Sequence, residues 1–223
     1  MAEVIQVDVW SDVVCPWCYI GKRRFEAGAA AFAERHPDVE VRLEYHSFQL
    51  DPDTPLDFEG TAVDYLVGRK GVSAAQARQM IDHVVKVAAE VGLAYDYDAI
   101  RHTNTGKAHQ LLHHAKVHGR QVELKERLMR AYFVEGRHVG RDDDLADLAA
   151  EVGLDRDEAW RALRENRYAD AVRADQEQAA RYGIHAVPFF VLDGRYGISG
   201  AQPAEVFTEA LAQVHRQRAA ARP

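Results

Sequence analysis

The two cysteines of this chain, Cys15 and Cys18, lie three positions apart in the sequence Cys-Pro-Trp-Cys, and no other cysteine occurs among its 223 residues. Two thiols at this spacing can form a redox pair or supply two ligands to a metal ion. The tetrapeptide follows an apolar, strand-like segment at residues 4–10. Pro16 suits the first position of a helix, where its missing N–H costs no hydrogen bond. The pattern predicts Cys15 at a helix N-cap and Cys18 one turn further on the same face.

The helix position also predicts different roles for the two thiols. Unpaired N–H groups and the positive end of the helix dipole favour a thiolate at the cap, so Cys15 is predicted to ionise more readily than a free thiol and to act as the nucleophile. Cys18 is predicted to be the buried thiol that resolves a mixed disulfide by attacking Cys15. Trp17, between the thiols, is predicted to be exposed and to contact substrate together with Pro16.

A structural zinc site is the main alternative for the cysteines. It would need two further ligands from the eleven histidines, since zinc is usually held by four groups. His109 and His113 lie four apart on one predicted helix, but no carboxylate motif separates them and most such pairs are solvated helix positions. The sequence therefore predicts no metal site.

The segments around the cysteines have the order β-α-β. Strand 4–10 precedes a helix that is predicted to end near residue 35, before His36-Pro37. Strand 39–46 alternates apolar and charged residues, which predicts a half-exposed or edge strand. Residues 51 to about 150 predict only helices, including one that opens with a capping box at Ser73–Gln76. Met80 and Val84 on that helix are predicted to lie in the core of the helical block.

The last third of the chain changes its hydrophobic period. One long helix is predicted from Asp155 to Gly183. A strand from Pro188 to Leu192 follows, then the two-residue turn Asp193-Gly194, a return strand, and a final helix that begins at Pro203.

Taken together, the Cys-Pro-Trp-Cys motif, the helical insert and Val187-Pro188 ahead of a strand-turn-strand unit resemble the DsbA-type thiol-disulfide oxidoreductases. Segments 12–18, 104–115 and 187–202 resemble the FrnE-like cytoplasmic subgroup of that family. The resemblance implies an α/β, thioredoxin-like fold with a central mixed β-sheet flanked by helices. Residues 1–50 and 154–223 would form the thioredoxin-like domain, and residues 51–153 an inserted all-α helical subdomain.

The resemblance also implies a cis Val187-Pro188 bond beside the thiols. The N–H and C=O of Val187 would then be free to pair with an extended substrate strand. Two positions depart from better-known relatives. Trp17 replaces a histidine that helps to stabilise the thiolate, and Val9 stands where a buried acid often relays protons, so deprotonation of Cys18 needs another base or water.

The predicted function is thiol-disulfide exchange on a protein or small thiol through a mixed disulfide, with no cofactor beyond the cysteines and with glutathione as a candidate redox co-substrate. Two alternatives stay open. One is a glutathione-dependent isomerase of an aromatic or polyketide-like compound, although such enzymes usually lack a resolving cysteine such as Cys18. The other is a non-enzymatic, peptide-holding chaperone.

Composition limits the partners and the compartment. With 47% hydrophobic residues and a formal charge of −7, the chain is typical of a globular protein that binds neither nucleic acid nor an anionic membrane. The amino end has no basic, apolar leader, which predicts a cytoplasmic location. Thiols there are kept reduced, which favours a catalytic over a structural role for the cysteines. The sequence leaves a monomer and a homodimer equally open.

Overall fold

The computed structural model describes residues 3–220 and contains a four-stranded mixed sheet. Strands β1 (Glu3–Ser11) and β2 (Val39–Ser47) are parallel, and β3 (Phe189–Leu192) and β4 (Tyr196–Ser199) follow in antiparallel pairings. The strand order is β2-β1-β3-β4. The prediction that the second strand lies at or near a sheet edge is confirmed.

Two helices cover one side of this sheet. Helix α1 (Pro16–Arg35) connects β1 to β2, and helix α9 (Ala204–Ala220) packs along it. Gly28 of α1 allows the close contact, since a Cβ atom there would lie 2.5 Å from the carbonyl oxygen of Ala204. The shared core contains apolar side chains from the sheet and both helices: Ile5, Val7, Val9, Phe25, Phe32, Phe190, Phe207 and Leu211.

Every regular element between β2 and β3 is a helix, as the sequence predicts. The capping box at Ser73 is present, with the Gln76 N–H donating to the Ser73 hydroxyl. Among residues 3–220, no helix combines the length and the apolarity needed to cross a membrane. The helices are α2 (Ala62–Lys70), α3 (Ala74–Glu90), α4 (Gly106–Val117), α5 (Gln121–Phe133), α6 (Asp142–Ala150), α7 (Arg156–Arg164) and α8 (Ala169–Arg181).

The single long helix predicted from Asp155 to Gly183 is wrong, because the chain breaks into α7 and α8. Asn166, between them, adopts a left-handed φ of 52°. Its side-chain oxygen accepts hydrogen bonds from Lys107 at 2.9 Å and Gln110 at 3.3 Å, both on α4. Asparagine tolerates this conformation better than most residues. A contact with a helix some 60 positions away therefore fixes the break, and no local pattern reports it.

The turn at Asp193-Gly194 is confirmed. Both residues have positive φ, 56° and 63°, the combination that a tight two-residue hairpin turn requires. The division of the chain into 1–50 with 154–223 and an insertion at 51–153 stays a prediction.

Candidate active site

Cys15 and Cys18 lie at the start of α1, as predicted from proline and the spacing. Cys15 is the N-cap residue, Pro16 is the first helical residue, and the Cys18 N–H donates to the Cys15 carbonyl oxygen at 3.0 Å. Both cysteines are free thiols and only 3% exposed. Burial is therefore not what distinguishes the two sulfurs.

Access does distinguish them. A cavity of about 420 Å³ opens beside the start of α1, and Cys15, Pro16, Trp17 and Val187 all line it. Cys18 is not among the described residues that do so. Trp17 is 37% exposed at the rim. A molecule in this cavity would meet the sulfur of Cys15 first, with Cys18 behind it.

The helical block supplies most of the cavity wall. Tyr97, Ile100 and Phe133 make it largely apolar and aromatic, while Arg69 and Lys70 from the end of α2 add positive charge. The wall thus combines an apolar surface with two cationic groups next to a thiol.

The core position predicted for Met80 is wrong, whereas that for Val84 is confirmed. Val84 is 5% exposed, but Met80 is 38% exposed, and both line the cavity. The apolar face of α3 is turned partly toward this open space. Its helical period predicts an apolar face but not whether protein or cavity lies opposite.

The Val187-Pro188 bond is cis, as the family resemblance implies. The Cys15 thiol lies 3.7 Å from the Val187 carbonyl oxygen and donates to it. No residue in the range 3–220 pairs with the Val187 N–H. Pro188 is buried against α1, where a Cβ atom on Gly21 would lie 2.9 Å from its ring. Of the two residues, only Val187 lines the cavity.

The two thiols titrate as a coupled pair, because a charge on one sulfur opposes a charge on the other. The hydrogen bond to Cys18 and burial raise the pKa of Cys15. Burial also disfavours a thiolate at Cys18, but the hydrogen bond from Cys15, the charge of Lys125 and the Ser11 hydroxyl outweigh it and lower the pKa of Cys18. In the buried pair these interactions favour the charged form of Cys18 over that of Cys15. The expectation that the cap alone makes Cys15 the more acidic thiol is not supported.

A buried carboxylate lies next to the pair. Asp12 accepts hydrogen bonds from the Val13 and Leu50 N–H groups, each at 2.8 Å, and contacts His109 Nε2 at 3.1 Å. Burial works against its charge, yet these bonds and Lys125 hold the pKa of Asp12 below its usual value. Burial lowers the pKa of His109. Asp12 is thus the charged partner and His109 the neutral one.

The zinc alternative finds no support in this geometry. His109 bonds to Asp12, whereas His113 lies 3.1 Å from Asp175 on α8, so the two histidines serve different carboxylates. Within residues 3–220, neither cysteine belongs to a group of three potential ligands. Asp8, Glu44 and His46 do form such a group.

Lys125 on α5 is the residue of this site that sequence reasoning missed. It is fully buried, and its Nζ donates to the Ser11 carbonyl oxygen at 3.3 Å. Burial lowers the pKa of Lys125 to about 8, although Cys18 and Asp12 favour its charge. One signal was available: Lys125 lies among the positions of α5 whose helical period buries apolar side chains, beside Leu124 and Leu128.

Comparison with known proteins gives the family. A model described as a DSBA-like thioredoxin domain matches residues 6–212. The chain belongs to this family. A crystal structure of a probable DsbA oxidoreductase, SCO1869 of Streptomyces coelicolor, is 45% identical, with a TM-score of 0.85 and 94% of this chain and 89% of that one covered.

Two more distant structures share the fold of this DSBA-like protein. The cytosolic disulfide reductase DsbM of Pseudomonas aeruginosa, solved with GSH, is 19% identical with a TM-score of 0.63, covering 94% of this chain and 99% of that one. A 2-hydroxychromene-2-carboxylate isomerase is 16% identical with a TM-score of 0.69, and the match covers 98% of this chain and 100% of that one. The fold thus occurs in proteins named for redox chemistry and for isomerisation.

Proposed function

We propose that this protein is a thiol-disulfide oxidoreductase in which Cys15 forms a mixed disulfide with the substrate and Cys18 resolves it. The observation that carries the proposal is the difference in access. Cys15 lines the cavity and Cys18 does not, although both are equally buried. A substrate disulfide in the cavity would reach Cys15 first, which assigns attack to one sulfur and resolution to the other.

The attacking thiolate arises within the pair. Transfer of the Cys15 proton to the sulfur of an ionised Cys18 leaves a thiolate on Cys15. The helix N-terminus then stabilises that charge through its unpaired N–H groups. The N-cap position thus stabilises the Cys15 thiolate that attacks the substrate, even though it does not determine which cysteine is charged before the attack.

Two exchange steps follow, and each conserves atoms and electrons. The Cys15 sulfur attacks one sulfur of the substrate disulfide, and the other substrate sulfur departs as a thiolate that takes up a proton. Cys18 loses its proton and attacks Cys15, which forms the Cys15–Cys18 disulfide and releases the second substrate thiol. The pair loses two electrons and the substrate gains them. The reverse sequence oxidises a substrate dithiol.

Protein thiols and small thiols or disulfides are the proposed substrates, with glutathione as redox co-substrate. The cavity supports a small or extended ligand with an apolar part, since it is open beside Trp17 and lined by aromatic rings. Arg69 pairs with Asp51 at 3.1 Å, but Lys70 has no ion-pair partner within residues 3–220 and could bind a carboxylate. The GSH-bound disulfide reductase DsbM among the fold relatives supports this substrate and a cytoplasmic location.

Trapping tests the order of attack. Cys18→Ser should accumulate a stable mixed disulfide with glutathione when it is mixed with oxidised glutathione, because the resolving sulfur is missing. Mass spectrometry of the intact protein and of its peptides should place the glutathionyl group on Cys15. Cys15→Ser is the matched control and should form little adduct and lose insulin-reductase activity. Equal labelling of the two variants, or full activity of Cys15→Ser, would refute the proposal.

A glutathione-dependent isomerase is the second candidate, favoured by one observation. The cavity beside Cys15 is walled mainly by apolar and aromatic side chains, a surface suited to a ring compound. Such a reaction needs no resolving thiol. Isomerisation of an aromatic substrate that requires glutathione and survives Cys18→Ser would favour this function over disulfide exchange.

A further inference from the structure

The segment between α3 and α4 contributes two polar side chains to the wall of the cavity beside Cys15. Tyr97 and His102 both line this cavity. The Tyr97 hydroxyl and the His102 Nε2 have no hydrogen-bond partner within residues 3–220. Neither atom is completely enclosed by the described protein. A mainly apolar wall thus contains two free hydrogen-bonding groups.

The surroundings of His102 leave only one of its ring nitrogens free. The side chain is 9% exposed, and its Nδ1 lies 2.7 Å from the Tyr132 hydroxyl. The Tyr65 ring of α2 lies against it, with the two ring centroids 3.5 Å apart. Burial lowers the pKa of His102 to about 4, so the ring is neutral at pH 7. A neutral imidazole has one N–H donor and one acceptor nitrogen.

Tyr132 determines which nitrogen of His102 carries the proton. The Tyr132 hydroxyl is buried, and His102 Nδ1 is its one hydrogen-bond partner in the described part of the chain. A buried O–H group that donates to no acceptor is unfavourable, so we assign this hydroxyl as the donor to Nδ1. Nε2 then carries the ring proton. His102 therefore presents an N–H donor to the cavity.

Tyr97 supplies a second donor beside the cysteine motif. Its ring centroid lies 6.2 Å from that of Tyr95 and 6.5 Å from that of Phe133. The Tyr95 hydroxyl donates to the Pro16 carbonyl oxygen at 2.8 Å, which connects this segment to the first turn of α1. The packing therefore places Tyr97 next to the turn that carries Cys15.

The charges around the cavity indicate which acceptor these donors suit. Arg69 and Lys70 line the cavity, and no Asp or Glu within the range 3–220 does so. Two N–H or O–H donors beside this excess of positive charge suit the oxygens of an anion, since hydrogen bonds to a charged acceptor are the stronger ones. A volume of about 420 Å³ is typical of a pocket for a small molecule. The occupant that fits is a small carboxylate.

We propose that the Tyr97 hydroxyl and the His102 Nε2–H bind the oxygens of a low-molecular-weight disulfide that carries a carboxylate, and that they select such a disulfide as the substrate of Cys15. The inference rests on the proposed function only for the role of Cys15. The exchange is the one described above, in which the cysteine pair is oxidised and the substrate is reduced to two thiols. A neutral analogue is disfavoured because it leaves both donors poorly paired in an apolar wall.

Two soluble disulfides of equal carbon number test the selection. One is 3,3′-dithiodipropionate, which carries two carboxylates, and the other is bis(3-hydroxypropyl) disulfide, which carries none. Each is mixed in excess with the fully reduced protein, and formation of the Cys15–Cys18 disulfide is followed by mass spectrometry after acid quenching. The selectivity is the ratio of the two second-order rate constants. The intrinsic reactivity of the probes cancels when this ratio is compared between variants.

Tyr97→Phe is the main variant, because it removes only a hydroxyl that has no partner in the described protein. We expect the rate constant for dithiodipropionate to fall about tenfold and that for the diol to stay within about twofold of wild type. His102→Leu should show the same pattern. Tyr182→Phe is the matched control, since Tyr182 is 57% exposed and does not line the cavity, and it should change neither rate.

The ratio separates recognition from a structural effect. A packing defect would slow the reaction with both probes, whereas loss of a donor slows only the reaction with the carboxylate. A selectivity within twofold of wild type in Tyr97→Phe, or an equal loss with both probes, would overturn the proposal. His102→Leu also removes the partner of the Tyr132 hydroxyl, so Tyr97→Phe decides the outcome if that variant does not fold.

A second measurement requires no disulfide exchange. The thioether 3,3′-thiodipropionate cannot react with a thiol, and it should slow the alkylation of Cys15 by iodoacetamide in Cys18→Ser. When Tyr97→Phe is added to Cys18→Ser, the same protection should need about tenfold more thioether. Absence of protection in Cys18→Ser would overturn the proposal.

This measurement distinguishes failure of the inference from failure of the proposed function. Protection by the thioether without trapping of glutathione on Cys15 would refute disulfide exchange and leave the carboxylate site in place. Trapping of glutathione without protection would refute the carboxylate site and leave disulfide exchange in place.

Discussion

We expect His46 on β2 to make the stability of the protein depend strongly on pH. Its ring bonds to Asp8 and to Asp175, each at 3.0 Å, and lies 3.6 Å from Glu44. Burial disfavours the imidazolium, but these carboxylates outweigh burial and raise the pKa of His46 from 6.5 to about 9. The side chain is only 12% exposed, so solvent screens little of this interaction. Folding therefore stabilises the protonated ring.

The size of the effect follows from linkage. One pKa unit corresponds to about 1.4 kcal/mol, so protonated His46 contributes about 3 kcal/mol to the free energy of unfolding. The pKa is raised on folding, so this contribution is complete below about pH 6.5 and disappears as the pH rises through about 9. The contribution of Lys125 to stability changes with pH in the opposite direction. Its pKa is lowered to about 8, so its buried charge opposes folding at lower pH, and this unfavourable contribution decreases as the pH rises above about 8. The two effects partly cancel between pH 8 and 9.

Comparison with His46→Gln isolates the histidine. Urea unfolding of both proteins, with the cysteines held reduced, should be measured at intervals from pH 6 to pH 10. We expect the variant to be much less stable than wild type at pH 6, and the difference to shrink by about 3 kcal/mol by pH 10. Lys125 is present in both proteins and drops out of the difference. A difference that changes by less than about 1 kcal/mol over this range would contradict the reasoning.

Two further substitutions test packing and substrate contact. Gly28→Ala would place a Cβ atom 2.8 Å from the Phe207 Cβ as well as against the Ala204 carbonyl oxygen; we expect a loss of about 1–3 kcal/mol in urea unfolding. Gly68→Ala, in open space on α2, is its control and should be neutral or stabilising by up to about 1 kcal/mol. Trp17→Ala should raise the KM for a disulfide substrate roughly two- to tenfold, from an aromatic contact of about 0.5–1.5 kcal/mol. Its reduction potential should stay unchanged, and an unaltered KM would remove Trp17 from the substrate site.

Local signals predicted the parts of the fold that local interactions determine. The capping box at Ser73, the Asp193-Gly194 turn and proline after Cys15 each specify the backbone within a few residues, and all three occur as predicted. The period of two in β2 predicted a half-exposed strand, and Glu40 and Arg42 on its polar face are exposed.

The sequence predictions that were wrong share a different cause, which is contact between segments that are distant along the chain. The break at Asn166 depends on Lys107 and Gln110 of α4, and the exposure of Met80 depends on a cavity formed by other helices. The lowered pKa of Cys18 depends first on the hydrogen bond from Cys15 and then on the charge of Lys125, more than 100 positions away along the chain. Helical periodicity reports which face of a segment is apolar but not what lies opposite that face.

The helical block is therefore part of the redox site. Cys15 and Cys18 lie in the same continuous core as Leu111, Leu128 and Phe133, not in the core that the sheet shares with α9. The sheet and α1 fix where the two sulfurs are. Helices α2 and α3 and the segments near Tyr97 and Phe133 determine what can reach Cys15. Changes in these helices can therefore alter access to Cys15 without changing the cysteines, because no strand residue lines the cavity within the described chain.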